Sequence, residues 1–142
     1  DIGLADPGAL QQCLAAKDAY DFLGSPEGEL AIAQACLYLA TAPKSNSVYT
    51  AQKAAWATAR ETGSLSPPMH ILGAPTKLMR ELGYGKGYAY DHDEADGFSG
   101  ANYWPDELPP QRFYEPSERG HEKRIAGRMA WWEERRNAKR DD

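Results

Sequence analysis

The segment Gly83–Tyr88, Gly-Tyr-Gly-Lys-Gly-Tyr, combines the residue types that cradle phosphate groups in nucleotide-binding loops. A Walker A loop, however, places Ser or Thr directly after its lysine, and here Gly87 follows Lys86. The segment also follows a short helical pattern rather than a strand, which excludes a dinucleotide-binding turn. The spacing therefore predicts backbone turns that need positive φ, with Lys86 exposed.

The acidic run at 91–94, Asp-His-Asp-Glu, and the nearby Asp96 supply ligand types of a cation site. An EF-hand loop beginning at Asp91 would need an oxygen ligand at its fifth position and glycine at its sixth, where Ala95 and Asp96 stand. The three histidines lie far apart in the sequence, and two cysteines are too few for a four-ligand zinc site. We expect a solvated acidic turn, with a metal-dependent enzyme at 91–93 as the alternative.

Basic side chains concentrate near the carboxyl end of the chain. Residues 117–142 hold 8 of the 16 Lys and Arg residues against 6 acids, although the whole chain has a net charge of −5. This asymmetry is typical of a surface that contacts nucleic acid or an acidic neighbour. A solvated helix face rich in paired charges is the simpler interpretation. The candidate DNA contacts are Lys86, Lys123, Arg124 and Arg128.

Three helices are predicted in residues 1–62, each bounded by residues that favour helix starts or ends. The second is the most apolar, since from Leu30 to Ala40 every residue except Gln34 is hydrophobic. A helix that is apolar all round must be covered all round, which in so short a chain indicates a second layer from another subunit. The bounding residues are Asp6 and Gly24, Ser25 and Pro26, Ser45 or Asn46, and Gly63.

The second half of the sequence is less regular. Pro75 or Thr76 starts a short helix that Gly83 closes. Residues 83–116 hold 8 of the 15 aromatic residues, which predicts an extended arm whose rings pack across the helices. The pair Trp131-Trp132 is either an interface anchor or an ordinary core contact. The predicted fold is a single all-α domain, a helical bundle of about five helices: a three-helix core (1–62), a short helix plus extended aromatic- and glycine-rich arm (63–116), and a C-terminal helix (117–138).

Length and composition agree with one folded domain, since the chain has 142 residues of which 42% are hydrophobic. No window approaches 18 uninterrupted apolar residues, so no membrane span is expected. With only Cys13 and Cys36, a reduced cytosolic protein is the default. Because the chain opens at Asp1 without a methionine or a leader, we expect an excised fragment of a longer protein.

Several stretches together carry a family resemblance. They are Asp1–Pro7, Tyr38–Asn46, Ala74–Met79, Leu82–Tyr88, Asn102–Pro105 and Tyr114–Pro116. With these stretches the chain resembles, over residues 1–136, the C-terminal region of the replication-associated recombination protein A family. This family of clamp-loader-like AAA+ ATPases includes the Werner-helicase-interacting ATPase. Two departures stand out: Leu72-Gly73 replaces the usual Arg-Asn, and Trp104 stands where Phe is common.

The resemblance implies a helical post-AAA+ oligomerisation domain that assembles the ATPase into a homotetramer. It implies that the full-length protein is a DNA-dependent ATPase of replication-fork maintenance, recombination and repair in the bacterial cytosol, near the nucleoid. DNA and single-strand-binding protein are the implied partners, and ATP and Mg²⁺ belong to an ATPase domain absent from this chain. For the chain itself we expect no catalysis, no cofactor, no metal and no membrane association.

Two functions are therefore considered for the chain. The first is a non-catalytic homo-oligomerisation module. The alternative is a module that contacts DNA or a replisome protein through the basic C-terminal helix and exposed tyrosines. The family-motif and interface candidates are Pro43, Lys44, Ser45, Asn46, Ala74, Pro75, Thr76, Lys77, Tyr84, Gly85, Lys86, Gly87, Tyr88, Trp104, Trp131 and Trp132.

Overall fold

A computed structural model describes residues 1–94 and 96–141, and these residues form helices and loops without any strand. The five α-helices are α1 (Gly8–Leu23), α2 (Glu27–Thr41), α3 (Ser47–Thr62), α4 (Lys77–Glu81) and α5 (Glu122–Asp141). Short 3₁₀ turns occupy Gly3–Ala5, Met69–Ile71 and Asp91–Asp93. The predicted all-α class with about five helices is confirmed.

The chain divides into two compact units. Unit 1 comprises Asp1–Ala54 and Phe113–Met129, and unit 2 comprises Ala55–Arg112 and the chain from Ala130. Unit 1 therefore contains the whole of α1 and α2 together with the first turns of α3 and α5. Unit 2 contains α4 and the glycine-rich and aromatic arm as far as Arg112, whereas the end of the arm from Phe113 belongs to unit 1.

The first helix of unit 1 starts at Asp6, whose carboxylate accepts hydrogen bonds from two helices. The Asp6 side chain accepts a hydrogen bond from the backbone N–H of Gly8 at 3.0 Å, which caps α1 as the sequence predicts. Its second oxygen accepts from the Tyr38 hydroxyl on α2 at 2.7 Å. This hydrogen bond to Asp6 raises the pKa of Tyr38, and the same contact ties the C-terminal turn of α2 to the start of α1.

Helices α1 and α2 form a hairpin whose contact surface is lined by very small residues. Gly24 ends α1 with φ of 68°, as predicted. At Gly28 a Cβ atom would lie 2.7 Å from the Tyr20 Cα, so glycine is required for the two backbones to approach this closely. Ala16 of α1 and Ala35 of α2 are buried in the same contact surface between the two helices.

Three predicted helix starts differ in how their backbone N–H groups are satisfied. The Thr76 hydroxyl accepts from the Met79 N–H at 3.2 Å and caps α4. Ser45, rather than Asn46, accepts from the Ser47 N–H at 3.2 Å where α3 begins. Helix α2 starts directly after Pro26 as predicted, but the Ser25 hydroxyl donates to Glu29 instead of accepting from the backbone.

In unit 2 the glycine-rich segment folds as successive tight turns after α4. Gly83, Gly85 and Gly87 have φ of 89°, 71° and 82°, which confirms the prediction of turns with positive φ. The Gly85 N–H donates to the Met69 carbonyl at 2.8 Å, and Lys86 is exposed. The segment is thus a packed loop that lies against the Met69–Ile71 turn.

The acidic and aromatic part of the arm packs on the C-terminal half of α5. The Phe98 ring stacks on Trp132 with centroids 6.5 Å apart, and the Arg136 guanidinium lies 5.6 Å above Phe98. Arg135 pairs with Asp96 at 3.1 Å. The predicted packing of aromatic rings across a helix is found at Phe98. It is not found at three tyrosines of the arm, which are exposed: Tyr88, Tyr90 and Tyr103.

Helix α5 begins at Glu122, later than the predicted start at 117. The physical reason is that Ser117 is already engaged by Glu122: its N–H and its hydroxyl both donate to that carboxylate at 3.1 Å. The chain from 117 to 121 therefore turns around the Glu122 side chain before the helix can start.

Candidate self-association surface

The hydrophobic side chains that unit 1 buries are very small. Among the described residues, the buried hydrophobic ones are Ala5, Ala9, Ala16 and Ala35. The accessible surface of the chain is 10520 Å². Two separate compact bodies, each of half the chain's mass, would expose only about 8,800 Å² together. The chain therefore exposes more surface than two compact bodies of its mass.

Large hydrophobic side chains lie on the outside of the α1–α2 hairpin. Phe22 is 88% exposed, Leu30 75%, Leu10 71% and Leu37 69%. Exposed apolar surface of this extent is unusual on a monomeric soluble protein and typical of an interaction site. Within one copy, Leu30 and Leu37 of the predicted apolar helix are thus left uncovered, and the second layer from another subunit stays a prediction.

The two faces of α2 have opposite roles. Gly28, Ala31 and Ala35 lie on the face toward α1, where they are buried or half-buried. The opposite face carries four exposed apolar residues at spacings of three, four and three, which we call the α2 seam: Leu30, Ala33, Leu37 and Ala40. No charged residue interrupts the sequence from 30 to 41. This is the pattern of a helix that packs on another helix.

A shallow recess of about 130 Å³ opens between α1 and α2. It is lined by Gln12, Ala15, Ala16, Ala31, Gln34 and Ala35. The lining residues are four alanines and two glutamines, and none of them is charged. Such a recess fits an apolar side chain from a neighbouring helix.

The residue that sequence reasoning missed is Glu122, which is 0% exposed. Its carboxylate accepts hydrogen bonds from the Ser47 hydroxyl and the Tyr114 hydroxyl, each at 2.7 Å, and from Ser117. We call these four residues the Glu122 cluster. Ser45 extends it, since its hydroxyl donates to Ser47 at 3.0 Å.

The electrostatics of the Glu122 cluster are those of a fully satisfied buried anion. Burial alone would raise the pKa of Glu122, but hydrogen bonds from the surrounding hydroxyl groups and from the Ser117 N–H lower it to about 2. Burial and the adjacent carboxylate raise the pKa of Tyr114 to about 12. Glu122 is therefore ionised at neutral pH and is held as an acceptor rather than poised to exchange protons. Its role is to join three chain segments.

The Pro43–Asn46 candidates form the junction next to this cluster. The Lys44 ammonium donates to the Leu39 and Ala42 carbonyls and so caps the C-terminal end of α2. Arg119 donates to the Lys44 carbonyl at 3.2 Å. The loop thus brings two cations to the end of α2, and it holds Ser45 in the buried hydrogen-bond network.

The other motif candidates lie in unit 2. The stretches 74–77 and 84–88 come together there, since a Cβ atom at Gly85 would lie 3.3 Å from the Leu72 carbonyl and 3.9 Å from the Ala74 Cβ. The Trp104 N–H donates to Asn102 at 3.1 Å. Trp131 and Trp132 are each a little over one-third exposed, and the Arg135 guanidinium lies 5.2 Å from the Trp131 ring. Their role at an interface stays a prediction.

The basic candidates are divided between the units. Lys123, Arg124 and Arg128 lie exposed on the part of α5 that belongs to unit 1, and they form no ion pair with any described residue. Lys86 is exposed in unit 2. The simpler interpretation, a helix face of paired charges, holds for Arg135, Arg136 and Lys139 but not for these three.

The acidic turn shows how its carboxylates are used. Asp91 accepts from the Ser99 N–H at 2.8 Å, and hydrogen bonds from Ser99 lower the pKa of this carboxyl. Over residues 1–94 and 96–141 no group of three or more His, Cys, Asp or Glu side chains is arranged to hold a metal ion. In the same residues, no helix has the length and apolarity needed to cross a membrane.

Residues 1–133 match the family described as MgsA AAA+ ATPase C terminal. The chain belongs to this family. This MgsA C-terminal family member is 52% identical, over 92% of its length, to replication-associated recombination protein A of Escherichia coli K12. It is 50% identical over 93% of its length to the Coxiella burnetii protein of the same name, and 39% identical over 81% to the ATPase WRNIP1 of Dictyostelium discoideum.

The family resemblance seen in the sequence motifs is thereby confirmed, including its extension to the Werner-helicase-interacting ATPase. The MgsA C-terminal chain spans about 30% of the length of the bacterial recombination proteins and 13% of the Dictyostelium ATPase. It corresponds to the C-terminal part of AAA+ ATPases associated with replication and recombination.

Proposed function

We propose that this chain is a non-catalytic homo-oligomerisation module that assembles a replication-associated AAA+ ATPase into a tetramer. The observation that carries the proposal is the inverted distribution of apolar side chains in unit 1. Alanines fill the contact surface between α1 and α2. Four large side chains of the same helices lie outside it: Leu10, Phe22, Leu30 and Leu37. Burying such side chains against further copies is the direct way to remove them from water.

The magnitudes indicate how extensive the interface has to be. Burying Leu10, Leu14, Leu30 and Leu37 from their observed exposure contributes about 4–8 kcal/mol per copy. Association costs about 4–15 kcal/mol in lost freedom. A stable assembly therefore has to bury other exposed apolar residues of unit 1 as well, of which Phe22 and Val48 are available.

Such a module would serve a AAA+ ATPase by holding its ATPase domains close to one another. Closed symmetry gives the attached ATPase domains a fixed spacing, and tethering raises their effective concentration so that sites at subunit boundaries form. ATP, Mg²⁺, DNA and single-strand-binding protein would then act with the full-length protein in the cytosol. The chain itself would contribute assembly, not chemistry.

The test is the mass of the 142-residue chain in solution, measured by light scattering after size-exclusion chromatography at about 1–100 μM. We expect a mass about four times the 15.7 kDa of the chain. A mass of one chain throughout this range would contradict the proposal. A stable dimer would retain self-association but contradict the tetramer.

A second candidate function, contact with DNA, is supported by Lys123 and Arg124. Both lie in the first turn of α5, where the positive end of the helix dipole disfavours cations, and neither is paired with an acid in the described part of the chain. Phosphate groups would offset that repulsion.

Fluorescence anisotropy with a labelled single-stranded oligonucleotide at about 50 mM salt tests this second function. We expect weak, salt-sensitive binding, and we expect the K123A/R124A/R128A variant to lower the slope of log affinity against log salt by about 2. A K53A/R60A/R80A variant, which removes three exposed cations elsewhere, is the charge control. No binding at this salt concentration would remove the second function and leave the first intact.

A further inference from the structure

The α2 seam has a size pattern that complements itself. Leu30 and Leu37 alternate with Ala33 and Ala40, all four exposed. When a second copy of the seam is turned end for end about a point near residue 35, position 30 meets position 40 and position 33 meets position 37. Each leucine then faces an alanine, and no leucine faces a leucine. A pattern of this kind lets two helix axes approach closely without voids.

The charges at the two ends of α2 also favour the reversed orientation. Glu27 and Glu29 lie in its first turn, whereas the Lys44 ammonium and Arg119 lie at its C-terminal end. In an antiparallel pair the acidic end of each helix lies beside the basic end of the other. In a parallel pair like charges would meet at both ends. The two helix dipoles also oppose one another only in the antiparallel arrangement.

We propose that α2 packs antiparallel on α2 of a second copy across a two-fold axis near residue 35, with Leu30 against the partner's Ala40 and Leu37 against the partner's Ala33. This inference rests on the proposed function, and it assigns the partner and the register. A single two-fold contact closes a dimer, so a tetramer with two-fold symmetry needs a second, different patch. Leu10 and Leu14, exposed on α1, remain available for it.

The register is tested by exchanging the sizes of one predicted pair. Ala40→Leu sets leucine against the partner's Leu30 and overfills the contact at both symmetric positions. Leu30→Ala leaves a void at the same two positions. We expect each single variant to weaken dimerisation about 10- to 100-fold in sedimentation equilibrium. The double variant L30A/A40L restores a large–small pair, and we expect its affinity to return to within about threefold of wild type.

The controls distinguish a change in contact at the α2 seam from a change in folding. Alanine and leucine are both strong helix formers, so circular dichroism of all three variants should match wild type. Ala54→Leu makes the same change at an exposed position of α3 and should not alter the dissociation constant. If the single variants have no effect, or the double variant is not restored, the register is wrong although self-association stands. If wild type is itself monomeric, the proposed function fails.

Disulfide trapping gives an independent measurement of the same register. In a C13S/C36S background, A33C/L37C places each new thiol opposite a thiol of the second copy. Within one helix the Cβ atoms of positions four apart are about 5–6 Å apart, too far for the ~3.8 Å that a disulfide needs. We expect covalent dimers on a non-reducing gel after mild oxidation. A gel that shows only monomers after oxidation would overturn the proposed pairing.

Discussion

The α1–α2 hairpin and the Glu122 cluster, both in unit 1, reverse the usual placement of side chains. On the hairpin, leucines lie outside and are up to 75% exposed, whereas in the cluster a carboxylate is completely buried. The hairpin leaves apolar surface in water, and the cluster removes a charge from water but supplies it with donors from three other residues. Each arrangement is costly unless a partner group is present.

The two regions therefore have different roles, one in the folding of a single copy and the other in the assembly of copies. The partners of Glu122 are all within the chain, so the cluster determines how one copy folds. The hairpin leucines have no such partners within their own copy, so we infer that they determine how copies assemble. Variants of the cluster should therefore change protomer stability, and variants of the hairpin surface should change assembly.

Glu122→Gln should give the largest loss of protomer stability. The variant removes the charge that four donor groups share and introduces an amide NH₂ among groups that are already donors. We expect the free energy of unfolding to fall by about 3–5 kcal/mol in urea denaturation. Glu94→Gln is the matched control, because Glu94 pairs with Lys139 near the surface and should cost less than about 1 kcal/mol. Equal effects of the two variants would contradict a special role for the cluster.

Acid should weaken the cluster in a defined direction. The folded pKa of Glu122 is about 2, below the ordinary value of 4.5. A lowered folded pKa adds stability above the unfolded pKa, and this stability is lost as the pH falls from about 4.5 toward 2. The contribution is about 3 kcal/mol. We expect the stability difference between wild type and E122Q, measured by urea denaturation, to shrink from pH 6 to pH 3. A constant difference would argue against the buried anion.

Gly28→Ala should disturb the contact between α1 and α2 without changing the exposed outer face of the hairpin. A Cβ atom at this position would lie 2.7 Å from the Tyr20 Cα, so the helices must move apart, at a cost of about 1–3 kcal/mol in unfolding free energy. Gly127→Ala in α5 is the control, because nothing lies within 4 Å of its added Cβ. There the better helix propensity of alanine should add about 0.5–1 kcal/mol. Thermal unfolding followed by circular dichroism distinguishes the two signs.

Tyr114→Phe should have the smallest effect of this series. It removes one of the hydrogen bonds to the Glu122 carboxylate but leaves the ring in place, which should cost about 1.5 kcal/mol. The pKa of Glu122, followed by NMR titration, should rise toward its ordinary value. A variant as unstable as E122Q would mean that the Tyr114 hydroxyl alone accounts for the stability of the cluster, and it would contradict an anion held by several donors.

The sequence predicted the features that depend on neighbours along the chain. Thr76 at a helix start and Gly24 at a helix end follow local rules, and both were predicted correctly. The uncovered apolar helix at 30–40 was also visible, because composition alone shows the surplus of hydrophobic residues.

What could not be predicted depends on residues distant in sequence. Ser47 and Glu122 are separated by 75 positions, and nothing in the residue spacing brings them together. The late start of α5 has the same origin, since residues 117–121 turn to satisfy the Glu122 carboxylate. A local signal was present only in the acidic residue at the first turn of α5, which by itself indicates no more than a favourable dipole contact.

Self-association of unit 1 is tested most simply by asking whether the midpoint of thermal unfolding depends on protein concentration. If the exposed leucines of unit 1 are buried between copies, assembly stabilises the folded chain by mass action. We expect the midpoint to rise by several degrees between about 1 and 100 μM for wild type. A midpoint that stays constant over this range would show that one copy is stable without its neighbours and would contradict the account.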